Sequence, residues 1–539
     1  MEHSQPKAMK SESDLSDIVD PRIEEDEISE SISDDLTRTI SNREIPQESL
    51  EKDPLDHIYV GPCFSPSVRT HLPLQVEFTH DDPRNPFNFS RARKWAITLT
   101  ACAVTGVSAS ASSSIASGDT SMQRDLSATH LQVALSVSTY ALGFALVPLV
   151  TAPLSEEFGR QPLYIVSGTI FMLMHVALAL APNIQAVIVF RCIQGCVGAT
   201  GATVVGGSVA DLWKPHERGL PMSVFSLAAI GATGLGPVLG GLIEQNPHLQ
   251  WRWIQWIHVI FAGLSLLSVI FIMGETRGGV LLKREARRLR KTTGDSRYRA
   301  RVEDEKVSLR TMIYYSATRP LYLLFTEPVV ASVSLWIGFA WGIVYGQIES
   351  IGFVFRTLYG FNDAQAGLCF LPMSLGALIG FLLNFYQDKL YTKHVHRRGP
   401  EARLFLACAA GAFFPIGCLI YAWTSFSFVP WIGPCIGLTV FTVAVFTIYL
   451  SVFSYLADCY LIYASSALAA QSLCRNLAAV AFPLFTDQMY TRLTFPWAST
   501  LLGCIAWLMA PIPLVLFFWG PQLRARSRFA SRLREMQGK

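Results

Sequence analysis

The sequence lacks the clustered residues that catalysis and metal binding require. We find no H-x-x-x-H, D-D-x-x-D or G-x-S-x-G pattern in its 539 residues, so no nucleophile with its base and no pair of metal ligands is indicated. The 11 cysteines are scattered, and none has the spacing of metal ligands. The sequence therefore predicts no enzyme, no catalytic residue, no bound metal and no disulfide framework.

Charge is also scarce, and what replaces it is apolar. Charged residues make up 16% of the chain and hydrophobic residues 51%. The apolar residues form blocks of about 20, the length at which a helix crosses about 30 Å of hydrocarbon. Twelve such blocks lie near residues 96–117, 131–154, 163–181, 185–210, 219–243, 253–274, 328–348, 364–386, 403–423, 430–456, 462–486 and 498–519. The predicted fold class is all-α and integral to the lipid bilayer, with twelve transmembrane helices.

The charges that are present divide the chain into regions. The first 60 residues hold 17 Asp/Glu against 6 Lys/Arg, which predicts a disordered acidic tail without a cleavable signal peptide. Basic residues collect between Arg277 and Arg319 and after Gly520, so the positive-inside rule places both termini and the central loop in the cytoplasm. The predicted regions are a tail (1–94), a six-helix bundle (95–275), a basic loop (276–318), a second six-helix bundle (319–519) and a basic tail (520–539).

The fifth apolar block contains "GATGLGPVLGG", Gly231 to Gly241. At a spacing of four, small residues line two adjacent helix faces: Ala228, Ala232, Gly236 and Gly240 on one, and Ala229, Thr233, Pro237 and Gly241 on the next. Helices in lipid gain packing energy where small residues let two backbones approach. We therefore expect this helix to lie at a close helix interface, with a kink at Pro237.

Several motifs resemble those of the major facilitator superfamily. The fifth block is similar to its antiporter signature, G-x-x-x-G-P-x-x-G-G, and we assign Gly231, Gly236, Pro237, Gly240 and Gly241 to it. "APLSEEFGRQP" resembles the cytoplasmic motif G-x-x-x-D-R-x-G-R-R; it keeps Gly159 and Arg160 and has Glu156 in the acidic place, but it departs from the motif at Ala152, Glu157 and Gln161. "RCIQG", which begins at Arg191, matches the R-x-x-x-G of the fourth span.

The second half has a narrower resemblance. "RPLYLLFTEP", "YASSALAAQSLCRNLAAVAFPLF" and "PIPLVLFFWGPQLRARS" look like the fungal twelve-span drug:proton antiporters. The resemblance implies two six-helix bundles around a central site, export of a small molecule and no cofactor besides the proton gradient. It also implies residence in the plasma membrane, or alternatively the vacuolar membrane. We expect a monomer with a small-molecule substrate and no nucleic-acid partner.

Polar residues at membrane depth are the candidate site, because each is costly there unless it is used or paired. We assign proton coupling to Arg191, His175 and Glu349. We assign substrate binding to Arg475, Gln471, Asn476, Tyr345 and Gln347. Because the deep charged groups are cationic, an organic acid or a neutral amphipathic metabolite is favoured over a polyamine. An importer or facilitator of the same fold and a membrane sensor remain alternatives.

Overall fold

The computed structural model describes residues 58–61, 74–214, 217–304 and 308–526, all within one compact unit. The predicted disorder of residues 1–57 and the predicted basic tail beyond residue 526 lie outside the described residues. Long helices dominate the rest. Spans 1 to 6 are the helices Arg91–Ser114, His130–Leu146 with Pro148–Phe158, Arg160–Ala179, Ile184–Leu212, Gly219–Glu244 and Gln250–Ile272. Spans 7 to 12 are Pro328–Tyr359, Leu371–Arg398, Phe405–Thr424, Ile432–Tyr460, Ala464–Leu493, and Phe495–Met509 with Pro511–Arg526.

These helices supply twelve membrane crossings. Within the described residues, ten helical stretches are long and apolar enough to cross a membrane, and an eleventh is the pair that forms span 2, which bends by 48° before Pro148. Proline causes such a bend because it lacks the backbone donor and clashes with the preceding turn. One of the ten stretches, Asp363–Thr424, has 62 residues, or about 93 Å of helix at about 1.5 Å per residue. It therefore holds two crossings, spans 8 and 9.

The chain reverses between spans 8 and 9. A 3-10 segment, Gly399–Leu404, separates the two helices. Gln387 of span 8 donates a hydrogen bond of 2.9 Å to the Ala402 carbonyl, and its own amide oxygen accepts one of 3.0 Å from the Leu406 backbone N–H. The start of span 9 is thus held beside the end of span 8. The fold class predicted from the sequence is confirmed.

The helix ends are fixed by polar caps where the apolar runs begin. Thr129 forms a reciprocal capping box with Gln132 at the start of span 2, and Asn183 accepts a 2.8 Å hydrogen bond from the Ala186 N–H at the start of span 4. Such caps satisfy backbone donors that lack a partner inside the helix. We call the end where spans 6 and 8 finish the basic end, and the end where spans 1 and 7 finish the far end.

Two bundles face each other, spans 1–6 forming the N bundle and spans 7–12 the C bundle. Span 2 packs against span 11, and span 5 packs against span 8, which joins the bundles. Spans 6 and 12 expose large apolar side chains such as Phe271 and Leu508, the surface expected to contact lipid. Spans 1, 4, 7 and 10 bury much of their surface inside the molecule.

Residues 74–94 are not a disordered tail, and the segment between the bundles is not a simple loop. Strands β1 (Ile58–Gly61), β2 (Leu74–Phe78) and β3 (Tyr298–Arg299) form a three-stranded sheet in that order. The β1–β2 pair is antiparallel and the β2–β3 pair is parallel. The prediction of disorder through residue 94 was wrong because the acidic composition of the first 60 residues was extended to a segment whose alternating apolar residues, Leu74, Val76 and Phe78, form a strand.

The sheet packs on a helix that follows span 6, Gly278–Thr293, which we call the central helix. Val76 of β2 is fully buried against Ala286 and Leu289 of this helix. The end of the helix is tied by two 2.9 Å hydrogen bonds from Arg290 to the Glu303 carboxylate, which hold the pKa of Glu303 below its usual value. Strand β2 therefore packs on the segment that connects the two bundles.

Replacing Val76 with Asp should disrupt the packing of the sheet on the central helix, because it places an unpaired charge in an apolar contact. Hydrogen–deuterium exchange should become at least tenfold faster at the amides of β2 and β3. Glu77, the exposed neighbour on the same strand, supplies the control, and Glu77→Asp should leave the exchange unchanged. Equal protection in both variants would contradict the packing described.

Candidate functional site

Arg191 lies seven residues into span 4 and is completely buried. Its guanidinium lies 4.3 Å from the ring centroid of Tyr140 on span 2. It donates hydrogen bonds of 2.8–3.2 Å to the carbonyls of Ala111, Ser112 and Ser136 and to the amide oxygen of Gln194. No carboxylate is among these partners, so the charge is balanced by backbone dipoles and an aromatic face. Arg191 thereby ties spans 1, 2 and 4 together.

His175 belongs to a buried pair of imidazoles between spans 3 and 6 of the N bundle. Its ring stacks on His258 of span 6 with centroids 5.3 Å apart, and its Nδ1 lies 2.9 Å from the amide oxygen of Gln255. His258 contacts Ser110 of span 1 at 3.2 Å. The Nε2 of His175 has no hydrogen-bond partner among the described residues. Residues 110–112 of span 1 therefore contact both the histidine pair and Arg191.

Arg475 of span 11 lies among aromatic rings of the C bundle. Its guanidinium carbon is 4.8 Å from the ring of Trp341 on span 7 and 5.2 Å from the ring of Tyr449 on span 10. Its one hydrogen bond in the described part of the chain is a long contact of 3.4 Å with Ser472, and its buried Nε has no partner there. No carboxylate of the described residues forms an ion pair with it. Arg475 is thus a cation that packs against aromatic rings and keeps N–H donors that bond to no described residue.

Three other predicted substrate residues are buried in the same region. Tyr345 is on span 7, one turn beyond Trp341, and lies close enough to Arg191 and Arg475 to interact electrostatically with both. Gln347 and Gln471 each have a buried amide oxygen without a hydrogen-bond partner among the described residues. Unpaired buried polar groups are costly and are expected where a ligand or water completes their bonds. Tyr345 therefore lies near both arginines, one in each bundle.

Asn476 has a different position from the one expected of a free binding group. Its amide donates a 2.8 Å hydrogen bond to the Phe144 carbonyl of span 2. The contact crosses between the bundles, so in this conformation Asn476 helps to close spans 2 and 11 together.

Glu349 lies well away from Arg475. It follows Trp341 by eight residues on span 7, about 12 Å further towards the far end. Its charged neighbours are Asp119 at the end of span 1 and Asp487 of span 11, and its Oε1 is buried without a hydrogen-bond partner among the described residues. His130 at the start of span 2 lies 3.4 Å from Asp119 and 3.9 Å from Asp487. Both bundles thus contribute carboxylates to one junction at the far end.

Sequence reasoning missed this junction. No sequence motif connects Asp119, His130 or Asp487 with Glu349. The four residues belong to four different helices, and no periodicity in one helix indicates its partner in another. One signal was present in the sequence: Asp119, His130 and Asp487 each lie within about two turns of the far end of the protein.

The small residues of span 5 pack against two different neighbours. A Cβ on Gly236 would lie 2.5 Å from the Ser110 carbonyl oxygen, and one on Gly240 would lie 2.8 Å from that of Ser114, so this face meets span 1. A Cβ on Gly241 would lie 2.5 Å from the Asp363 carbonyl oxygen of the C bundle. The helix continues unbroken through the buried Pro237. The predicted close interface is therefore two interfaces, one within the N bundle and one between the bundles.

The contact between spans 5 and 8 runs along both helices. A Cβ on Gly231 would meet only a side-chain atom of Leu227, at 3.7 Å, and the Gly231 carbonyl accepts a 2.8 Å hydrogen bond from Ser374 of span 8. Nearer the basic end, Asn384 donates a 2.7 Å hydrogen bond to Ser223. In this conformation the two bundles are therefore in contact along spans 5 and 8 as well as along spans 2 and 11.

The predicted gate loop is built around a buried carboxylate. Gly159 has φ +102°, a conformation that other residues rarely adopt, and the Glu275 carboxylate lies beneath it. The backbone N–H of Arg160 donates a 2.9 Å hydrogen bond to Glu275, and its guanidinium forms a 3.0 Å ion pair with Asp211 of span 4. The carboxylate of Glu156 lies 4.0 Å from the guanidinium of Arg277. Sequence reasoning found Arg160 and Glu156 but missed Glu275, which fixes the start of span 3 to the end of span 6.

The geometry defines a class of protein. Two helical bundles are joined by two pairs of helices, and they enclose cationic and aromatic groups and amides without partners among the described residues. This is the architecture of a membrane transporter. The Major Facilitator Superfamily model matches residues 98–483. The chain belongs to this superfamily and is a transporter rather than an enzyme.

Similar proteins agree with this family. The efflux pump radE of Floropilus chiversii is 36% identical over 84% of this chain and 85% of its own. The multidrug transporter FLR2 of Candida glabrata is 34% identical over 85% of this chain and 79% of its own. The xylose transporter XylE of E. coli, in a partially occluded inward-open conformation, superimposes with a TM-score of 0.56 at 16% identity, covering 79% and 99% of the two chains, which shows the shared fold. The resemblance to fungal efflux transporters is confirmed.

We expect Gly236→Ala to disturb transport and Gly231→Ala to be tolerated. An added methyl group at Gly236 meets the backbone of span 1, whereas at Gly231 its nearest neighbour is a side-chain atom of Leu227 at 3.7 Å. Gly236→Ala should lower the thermal unfolding midpoint by about 5 °C and the transport rate several-fold. Identical midpoints and rates in the two variants would show that span 5 does not depend on this contact.

Proposed function

We propose that this transporter exports a small organic acid or a neutral amphipathic metabolite in exchange for protons. The observation that carries the proposal is the position of Arg475 between Trp341 and Tyr449 without a carboxylate partner among the described residues. Two named relatives, an efflux pump and a multidrug transporter, support the direction of transport.

Arg475 supports an anionic, planar substrate. A guanidinium can hold a carboxylate through two parallel hydrogen bonds, and the neighbouring rings offer flat surfaces to an aromatic or conjugated group. A polyamine would instead need carboxylates beside it, because a multiply charged cation loses its hydration inside the protein. Glu349, about 12 Å further along span 7, is too far away to serve the same binding position.

Replacing Arg475 with Lys tests the substrate class. Lysine keeps the charge but not the planar fork, so transport of phthalate, an aromatic dicarboxylate, into proteoliposomes should fall at least tenfold while the protein stays folded. Arg492, exposed on the same helix, gives the matched control, and Arg492→Lys should transport at the normal rate. Unlabelled phthalate should compete with labelled phthalate for transport, and spermidine should not. Competition by spermidine alone would overturn the assignment.

Among the three residues predicted for proton coupling, the surroundings favour Glu349 as the carrier. The guanidinium of Arg191 is already engaged by carbonyl oxygens, and His175 lies between peripheral spans of the N bundle. Glu349 stands where the bundles meet, beside Asp119 and Asp487. Glu349, Asp119 and Asp487 come together when the bundles close at the far end. Protonation of Glu349 would remove one of these three negative charges. Arg191 then acts as the fixed cation that holds the N bundle together while the bundles rock.

Glu349→Gln should separate transport from the proton gradient, because the amide imitates the protonated acid but cannot release a proton. The variant should still exchange labelled for unlabelled phthalate across proteoliposome membranes. It should lose accumulation driven by a pH gradient. Glu77→Gln, on the exposed face of β2, should keep both activities. Accumulation by Glu349→Gln at the normal level would exclude Glu349 as the carrier.

We further infer that the basic end faces the cytoplasm and that the protein acts as a monomer in the plasma membrane. The positive-inside rule supports this orientation, since the central helix carries its Arg and Lys residues at the basic end. Fluorescence microscopy of a tagged chain would separate the plasma membrane from the vacuolar membrane. Protease protection of the central segment in sealed cells would test the orientation.

A further inference from the structure

Two thiols that are far apart in the sequence lie side by side at the far end of the C bundle. Cys369 stands at the turn between the short helix Asp363–Leu368 and span 8, and Cys435 is in the first turn of span 10. The two thiols are close enough to interact electrostatically. Both side chains are buried, with 4% and 8% of their surface exposed. Each is a free cysteine in this structure.

The backbone register of spans 8 and 10 independently brings these residues together. A Cβ on Gly376 would lie 2.8 Å from the Thr442 Cβ, and a Cβ on Gly380 would lie 2.8 Å from the Phe446 Cβ. Both contacts join residues whose numbers differ by 66, and Cys369 and Cys435 differ by the same number. The two helices run in the same direction, so a constant difference continues the contact towards the far end. Gly376 and Gly380 thus bring the backbones of spans 8 and 10 close together about two to three turns from Cys369, and a disulfide between two helices requires such a short separation.

The pair also lies on the oxidising side of the membrane, a step that rests on the orientation inferred under the proposed function. The far end then faces the lumen of the secretory pathway during synthesis and the cell exterior afterwards. Disulfides form and persist in such compartments. Thiols at the basic end, such as Cys459 near the end of span 10, face the reducing cytoplasm instead.

We propose that Cys369 and Cys435 form a disulfide that joins spans 8 and 10 at the far end. The bond forms by exchange with an oxidised dithiol of the secretory pathway. The thiolate of one cysteine attacks the donor disulfide and releases one donor thiol, and the second cysteine then displaces the other donor thiol as the protein disulfide closes. The protein loses two protons and two electrons, and the donor is reduced to its dithiol.

The disulfide would steady the surface against which span 5 closes. The segment Asp363–Leu368 precedes Cys369 directly, and a Cβ on Gly367 would lie 2.8 Å from the Pro237 carbonyl oxygen of span 5. Because both cysteines belong to the C bundle, the bond leaves the bundles free to move against each other. It fixes the geometry of one partner in the far-end contact.

The test is a count of thiols in the full-length protein taken from cells. Cells are treated with iodoacetamide at harvest, the protein is denatured without reductant, and its peptides are analysed by mass spectrometry. We expect a linked Cys369–Cys435 peptide pair and two further alkylatable thiols after reduction. The reduced protein should also melt about 5 °C lower than the oxidised one. Alkyl groups on both residues before any reduction would overturn the proposal.

Variants and a second oxidant separate the causes of failure. Cys435→Ser should leave Cys369 alkylated and abolish the effect of reduction on melting, whereas Cys459→Ser on the same helix should change neither. If the pair is reduced in cells but diamide, a membrane-permeant thiol oxidant, links it in the folded protein, the orientation is wrong and the proposal falls with it. If diamide also fails, the register is wrong. Neither outcome affects phthalate transport, which tests the proposed function separately.

Discussion

Close backbone contact at glycine is the interaction on which this structure depends. Lipid is as apolar as a leucine side chain, so helices in a membrane gain little from burying apolar surface and associate where small residues allow close approach. Gly236 and Gly240 bring span 5 to span 1, and Gly241 brings it to the C bundle. Gly376 and Gly380 bring span 8 to span 10. The same element, span 5, therefore holds its own bundle together and touches the other.

The interior charges acquire their roles from this packing. Arg191 and Arg475 are both inside the protein, but their surroundings differ. Carbonyl oxygens of spans 1 and 2 satisfy the guanidinium of Arg191, which makes it a structural cation of the N bundle. Arg475 has aromatic faces and unused donors, which suits a bound anion. The two arginines thus differ in their capacity to bind a ligand, because only the neighbours of Arg191 complete its hydrogen bonds.

The length and spacing of the apolar blocks were enough to predict the twelve spans, because crossing hydrocarbon imposes a length that the sequence must display. The helix ends differ by several residues where polar turns stay helical, as in Leu371–Arg398 against the predicted 364–386. The partners of buried groups could not be predicted. Glu349 meets Asp119 and Asp487, and Cys369 meets Cys435, across intervals that no local pattern encodes. Strand β2 was missed because five residues are too short to stand out, and its partner β3 lies more than 200 residues away in the chain.

The central claim is that substrate movement and proton movement are coupled in opposite directions. The most direct measurement follows the luminal pH of proteoliposomes with a trapped dye after phthalate is added outside at equal starting pH. The account predicts that phthalate entry drives protons out and makes the lumen alkaline, at a rate that saturates with phthalate concentration. Phthalate entry without any change in luminal pH would contradict it.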